Sequence, residues 1–200
     1  DGSISVGDYD MVPLIDRFVE EHPDFSYHGH KGIIALTGYN GILGYRTDIA
    51  YKTRKDLDEY QEKFFEENPD FDKAAWKKER QQAKKVADAM KEEGWEFASH
   101  TWGHINLSSS SLERVQADTK RWLDEVGSLV GPTTILYYPH GARPDGDDVK
   151  QTGPIFRYLQ EQGFRVFASV GISSYSKIKT DICAEFFEHS RIIVSQSTDM

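Results

Sequence analysis

The chain has 200 residues, of which 38% are hydrophobic and 28% charged, and this length and composition suit one globular domain with a sizeable core. Its formal net charge of −9 argues against nucleic acid or an anionic membrane as a partner, because both would repel it. A single cysteine, Cys183, excludes an internal disulfide, and no apolar run approaches the ~18 residues that a membrane span needs.

The amino-terminal half alternates between helix and strand patterns. Apolar residues at helical spacing predict an amphipathic helix within residues 9–25, with Pro13 near its first turn. The apolar run 32–37 predicts a buried strand that ends in a glycine-rich loop. Two more helices are predicted, one within 53–70 and one over about 76–90 that ends at Gly94.

The carboxyl-terminal half continues the alternation. Strands are predicted at 95–100, 133–139, 164–171 and 190–197. Helices are predicted at 108–131, with a serine as its cap, and at 148–163, where Pro154 interrupts or restarts it. Short strands separated by helices are typical of an α/β fold with a mainly parallel sheet, and both a β/α barrel and a doubly wound sheet fit this pattern.

Polar segments follow three of the predicted strands. They are TGYNG at 37–41, SHTWGH at 99–104 and YYPHGARPD at 137–145. In both folds that fit the pattern, function gathers at the carboxyl ends of parallel strands. We therefore expect the three segments to contribute to one shared site.

Two histidines in the second segment, His100 and His104, are candidate metal ligands. Four residues make about one helical turn, so in a turn or a first helical coil both rings can point the same way. Two neutral imidazoles begin a metal site that needs a third ligand, although histidines at this spacing are also common as surface or capping residues. A zinc protease is excluded, because its general base is a Glu directly after the first histidine and Thr101 occupies that position.

The third segment contains a candidate oxyanion-binding turn. Pro139 and Gly141 flank His140. A tight turn of this kind can direct backbone N–H groups into a cleft, as in an oxyanion hole. The same residues are equally compatible with an ordinary turn.

Together, and in this order, these segments resemble the motifs of the NodB-like polysaccharide deacetylases, carbohydrate esterase family four. HTWGH at 100–104 matches the family's metal motif His-[Ser/Thr]-x-x-His in full, and YPHG at 138–141 is similar to its Pro-aromatic-Gly motif. The helix between the motifs also has the family's length. The resemblance covers about 11–171 and implies a distorted (β/α) barrel, incomplete at both ends. It further implies one partial domain over 1–200, with a helical insertion at about 39–72.

The resemblance also implies an activity, the hydrolysis of N-acetyl groups of a polysaccharide or glycan. In the family, residues matching His100 and His104 bind a divalent metal, usually zinc. The metal polarises the acetyl carbonyl and lowers the pKa of a bound water. Donors near Tyr138, His140 and Gly141 would hold the oxyanion. Thr101 would support a ligand or contact acetate. The family's usual location is extracellular or at the cell surface, which this segment does not itself reveal.

The chain departs from the family pattern where the proton-transfer residues are expected. The family's Asp-Asp-Gly motif, which supplies the base and the third metal ligand, is not found within it. Asp1-Gly2 is either the end of that motif or part of a turn, with the motif upstream. Gln196 occupies the expected position of the acid histidine, so either that motif lies beyond Met200 or this branch of the family has lost its acid. His189 precedes the predicted strand and is poorly placed to replace it. We therefore expect the base and the acid to lie outside the chain, which we interpret as part of a longer protein.

Two other readings remain open from the sequence. One is a non-catalytic, carbohydrate-binding relative of the same fold, and the other is a metal-dependent amidase or esterase with a different substrate. Four residues in and after the loop that follows the predicted strand 32–37 are plausible sugar contacts: Tyr39, Asn40, Tyr45 and Arg46. The stretch 53–76 is interpreted as a solvated helical excursion or a lid, and His22, His28 and His30 as surface residues.

Overall fold

A six-stranded sheet organises the protein, whose computed structural model describes residues 7–147, 151–171, 177–181 and 184–190. The strands are β1 (Gly32–Leu36), β2 (Trp95–Ser99), β3 (Ile135–Tyr137), β4 (Val166–Gly171), β5 (Lys177–Asp181) and β6 (Ala184–Ser190). Their order across the sheet is β1-β2-β3-β4-β6-β5. All neighbours are parallel except β5, which pairs antiparallel with β6. The predicted α/β fold with a mainly parallel sheet is confirmed.

The order of the strands favours a barrel over a doubly wound sheet. β1 to β4 lie side by side in chain order, whereas a doubly wound sheet reverses its order at a switch point. Within the described residues β1 and β5 form the two edges, so the sheet is open there. This arrangement is that of an incomplete barrel.

Eight α-helices accompany the strands in the described part of the chain. They are α1 (Met11–Glu21), α2 (Ile49–Thr53), α3 (Glu59–Glu67), α4 (Lys73–Glu92), α5 (Leu112–Trp122), α6 (Ser128–Val130), α7 (Pro144–Asp147) and α8 (Pro154–Glu161). Side-chain caps fix several starts: Ser111 accepts from the Arg114 N–H, and Asp58 forms a capping box with Gln61. None of the helices in the described ranges is both long and apolar enough to cross a membrane.

The core consists of two clusters of buried side chains. In one, Leu136 of β3 and Phe167 of β4 pack with Phe156 and Leu159 of α8. In the other, Phe97 of β2 packs with Ala83 and Ala87 of α4 and with Trp122. The two alanines are four residues apart and fully buried, so their small side chains let the α4 backbone approach the sheet closely.

The predicted pattern of elements needs correction at two points. The helix predicted over 108–131 begins at Leu112 and passes through a π-helical turn, Leu123–Gly127, before α6. The hairpin of β5 and β6 was not predicted, because KIKTD carries too few apolar residues to signal a strand. β6 contains His189. Most of the strand predicted at 190–197 falls outside the described residues, and β6 ends at Ser190.

The stretch 39–72 contains α2 and α3, in agreement with its predicted helical content. Its own aromatic cluster holds it together, since the Tyr51 ring lies 5.1 Å from Phe64 and the Phe64 ring 5.0 Å from Phe71. Its status as an insertion into a single domain over 1–200 stays a prediction.

Candidate functional site

The ends of β1, β2 and β3 meet at one edge of the sheet, as the polar segments after them led us to expect. The His100 N–H donates to the Leu36 carbonyl at 3.0 Å, and the Gly38 N–H donates to the Trp102 carbonyl at 2.8 Å. The His100 ring reaches the Tyr137 carbonyl at the end of β3. Three strand ends are therefore joined directly by hydrogen bonds.

His100 and His104 lie side by side, with ring centroids 4.8 Å apart and an interplanar angle of 67°. A third imidazole, that of His140, lies 4.5 Å from the His104 ring. The spacing allowed either a turn or a first helical coil, and residues 100–104 are not helical. Residues 100–104 form a loop in which Thr101 and His104 adopt left-handed φ values of 57° and 51°. Such backbone outliers in non-glycine residues persist where the surroundings hold them, often at functional sites.

A backbone carbonyl sets the orientation and tautomer of His100. Its Nδ1 lies 2.9 Å from the Tyr137 carbonyl oxygen, which can only accept a hydrogen bond. Nδ1 therefore carries the proton, and in the neutral ring the lone pair is on Nε2. This pattern, in which one ring nitrogen donates to a carbonyl and the other is the basic atom, is that of metal-binding histidines.

A carboxylate on α5 holds the loop between the two histidines. One oxygen of Asp118 accepts the Trp102 N–H at 2.6 Å, and the other accepts the Gly103 N–H at 2.8 Å. Burial raises the pKa of Asp118, against the opposing effect of these amides and of Arg114 and Arg121. Because both oxygens are used, the side chain fixes two consecutive peptide units of the motif.

Thr101 contributes a second support from inside the loop. Its side chain is buried, and its hydroxyl oxygen accepts the Ile105 N–H at 3.0 Å, while its own N–H donates to Ser99 Oγ at 3.2 Å. These bonds fit the predicted role of supporting a neighbouring ligand, because they bracket the loop on both sides.

An ionic network connects the motif to the stretch 39–72. The Arg121 guanidinium lies 3.3 Å from the centre of the Trp102 ring and donates to the buried Asp48 at 3.0 Å. The same guanidinium donates to Glu125 at 2.6 Å. Asp48 is only 2% exposed and also accepts hydrogen bonds from the Ala50 N–H and from Gln61. The carboxylate is therefore paired and hydrogen-bonded, as a buried charge requires.

These groups border a cleft of about 880 Å³. One wall belongs to the stretch 48–61, and the other to the loop 102–104 with His140. Its lining includes Tyr39, Asp48, Lys55, Asp56, Asp58, Trp102, His104, Arg121 and His140. A cleft of this size accommodates a ligand larger than a single small molecule such as acetate.

In the predicted oxyanion turn, His140 is the residue that faces the cleft. The Tyr138 side chain is 2% exposed, and its ring stacks on Phe167 at 5.9 Å. Burial raises the pKa of Tyr138 well above its ordinary value. The Tyr138 N–H donates to Ala168 and the Gly141 N–H to Tyr138, so the sheet and the turn already use both amides. His140 is exposed, with a left-handed φ of 60°.

The sequence profile of the polysaccharide deacetylase family matches residues 60–164, just over half of the chain, and both histidine-containing motifs lie within that range. The chain belongs to the polysaccharide deacetylase family. The match confirms the resemblance that the two motifs indicated.

Two solved structures show weaker similarity to this family member. A "putative polysaccharide deacetylase from Mycobacterium smegmatis" is 14% identical, with a TM-score of 0.41, and the similarity covers 82% of this chain and 60% of that one. Puue allantoinase is 17% identical with a TM-score of 0.37, covering 55% of this chain and 35% of that one. The chain thus spans 60% and 35% of the lengths of these proteins. No curated protein matches the chain significantly.

As ligands for the family's metal, His100 and His104 fit as two members of a set. Zinc takes neutral imidazole nitrogens, and the hydrogen bond of His100 leaves the ring in the required form. Within the described ranges, no group of three His, Cys, Asp or Glu side chains is arranged to hold a metal ion. Asp1 and Gln196, on which the predictions for the third ligand and the acid fall, lie outside the described residues.

The remaining sequence candidates fall in different places. His22, His28 and His30 are exposed, as expected. Tyr39 borders the cleft, whereas Tyr45 packs against the second core cluster.

The roles of Asp118 and Arg121 in supporting the site were not predicted from the sequence. A signal for them exists, because Arg114, Asp118, Arg121 and Glu125 recur at intervals of three or four residues. The first three lie on α5 and Glu125 lies in the π-helical turn that follows, so together they form a stripe of charges of alternating sign.

Proposed function

We propose that this protein hydrolyses the N-acetyl groups of a polysaccharide or glycan, with a divalent metal held in part by His100 and His104. The observation that carries the proposal is the histidine pair itself: two adjacent imidazoles, one oriented by a strand-end carbonyl, beside a large cleft. Membership of the polysaccharide deacetylase family supports the reaction class.

The residues of the chain would prepare the site rather than complete it. When bound, a divalent metal supplies Lewis acidity that polarises a carbonyl and makes water a stronger nucleophile. His100 and His104 would bind it, and zinc suits their nitrogen ligands. Asp118 would keep the loop between them in place through its two amide hydrogen bonds.

The acetamide would lie in the cleft with its carbonyl toward His140. Of the predicted oxyanion donors we assign the role to the backbone N–H of His140, since those of Tyr138 and Gly141 already donate elsewhere. Cleavage of the amide bond would give acetate and a free amine on the glycan. The third metal ligand, from Asp1 or an upstream Asp, and the proton-transfer groups would come from outside the described residues.

Acetate release from N-acetylglucosamine oligomers tests this function. The protein that carries this chain is stripped of metal by a chelator and assayed before and after zinc is added back. We expect release only with metal, and none from oligomers that lack acetyl groups. Metal-independent release would refute the proposal, as would the absence of release from every acetylated glycan tested. Cleavage of simple acetyl esters alone would favour an esterase.

A further inference from the structure

A second pocket, of about 490 Å³, is formed by residues of the stretch 39–72, which also borders the cleft. Helix α3 provides one wall of it with Tyr60, Lys63, Phe64 and Glu67. These four residues recur at positions i, i+3, i+4 and i+7, so they occupy one face of the helix. This face is therefore directed at the pocket and does not pack on the sheet.

The exposure of Tyr60 is unusual for a residue in such a stripe. Its side chain is 76% exposed, although Phe64 one turn away packs against Tyr51 and Phe71. A surface tyrosine next to a partly buried aromatic and a rim of charged groups is the composition expected of a ligand site. Lys63 and Glu67, 3.9 Å apart, supply donors and acceptors along the same edge.

The opposite wall is held by contacts that are already formed. The Arg46 guanidinium lies 5.4 Å from the centre of the Phe64 ring, and the Arg46 N–H donates to Glu79 at 2.9 Å. The Tyr51 hydroxyl donates to the side-chain oxygen of Asn40 at 3.3 Å. Arg46 and Asn40 are thus held beside the aromatic rings of Phe64 and Tyr51 before any ligand binds, which reduces the entropy lost on binding.

The second pocket lies beside the cleft of the histidine pair. Asn40, which lines the pocket, donates from its side chain to Asp58 at 2.9 Å and from its backbone to Asp48 at 3.1 Å. Both carboxylates line the cleft. Asn40 thus belongs to the pocket and bonds to two residues of the cleft, which places the two depressions next to each other.

We propose that this second pocket is a saccharide subsite, which binds sugars of the same glycan at a distance from the acetyl group held at the histidines. A pyranose ring has an apolar C–H face that stacks on an aromatic ring and a rim of hydroxyls that hydrogen-bond. Tyr60 offers the aromatic ring for the C–H face. Asn40, Arg46 and Lys63 offer hydrogen-bonding groups for the hydroxyls. The subsite rests on the proposed function for the identity of its ligand and gives the enzyme a preference for long chains.

Replacing Tyr60→Ala tests the subsite without disturbing the core, because the side chain is exposed. The matched control is Tyr27→Ala, since Tyr27 is 79% exposed and lies before β1. Direct binding and KM are measured for N-acetylglucosamine oligomers from the dimer to the hexamer. We expect the hexamer to bind Tyr60→Ala about 2- to 12-fold more weakly, with kcat and the dimer unaffected. The control should match the original protein.

Each outcome separates the subsite from the proposed function. An unchanged length dependence in Tyr60→Ala overturns the subsite while leaving deacetylation intact. Binding that grows with length and is lost in Tyr60→Ala, without acetate release, upholds the subsite and overturns the function. If no oligomer binds the original protein, both proposals are wrong.

Discussion

The chain contains two closely spaced histidine pairs, and only one of them is built into a site. His28 and His30 lie before β1, at the amino end of the sheet, and both are exposed. His30 contacts Glu96 at 3.3 Å, with about half of each side chain exposed. His100 and His104 follow β2 at the opposite end, where three strands terminate together.

Backbone conformation does not separate the two pairs. His28 and His104 both adopt left-handed φ values, 52° and 51°. What differs is the surrounding structure: the second loop is held by Asp118, by Thr101 and by neighbouring strand ends. Strain therefore marks a site only where other groups hold the strained residue in place.

Removing either member of the second pair should have the largest effect. We expect His100→Ala and His104→Ala to lose the proposed divalent metal, because each removes one nitrogen of an already small ligand set. His28→Ala and His30→Ala are the matched variants and should retain it. Elemental analysis of the purified proteins measures the metal per chain.

Two results would contradict this comparison. Full metal content in both His100→Ala and His104→Ala would show that the pair is not the ligand set. Loss of metal in His28→Ala or His30→Ala would show that the exposed pair contributes. Circular dichroism of each variant checks that any loss is not caused by unfolding.

Much of the architecture could be predicted from the sequence because it depends on local patterns. The helical spacing of apolar residues and the capping residues predicted α1, α4 and α8 approximately. Buried apolar runs predicted β1, β2 and β4. The meeting of the three polar segments also followed, since the carboxyl ends of parallel strands share one edge. The family motifs then indicated which side chains to expect at that edge.

The supports of the site could not be predicted in the same way. Asp118 lies 15 and 16 residues from the amides that it accepts, so no local rule connects them. The left-handed φ values of Thr101 and His104 were not predicted, because neither position is a glycine, the residue that most strongly signals such a conformation. The burial of Tyr138 also depends on its packing against Phe167 of β4, which is distant in the sequence.

Weakening the support without touching the ligands should have an intermediate effect. In Asp118→Asn the shape is kept, but one acceptor oxygen becomes an NH₂ group that faces a backbone N–H. We expect metal affinity to fall about 10- to 100-fold, as for other groups that orient ligands. The matched control is Asp124→Asn, an exposed acid that pairs with Lys120.

Competition with a metal chelator measures the affinity, and thermal unfolding without metal measures the stability. A role confined to folding would lower the melting temperature of Asp118→Asn and leave the affinity of the folded protein unchanged. That result, or equal affinities for Asp118→Asn and Asp124→Asn, would refute positioning by Asp118.

The smallest predicted effect comes from the glycine within each pair. A Cβ on Gly103 would lie 3.1 Å from Asp118 Oδ2, so Gly103→Ala must displace the carboxylate slightly. Gly29 has a φ of 83° with no atom within 4 Å of a built Cβ, so Gly29→Ala strains the backbone by about 1 kcal/mol instead. Metal affinity should therefore fall less than tenfold, and only in Gly103→Ala, whereas stability should fall mainly in Gly29→Ala. Gly103 and Asp118 act through one contact, so the variant that combines Gly103→Ala with Asp118→Asn should lose less binding free energy for the metal than the two single variants together. Strictly additive losses would mean that the two residues act separately.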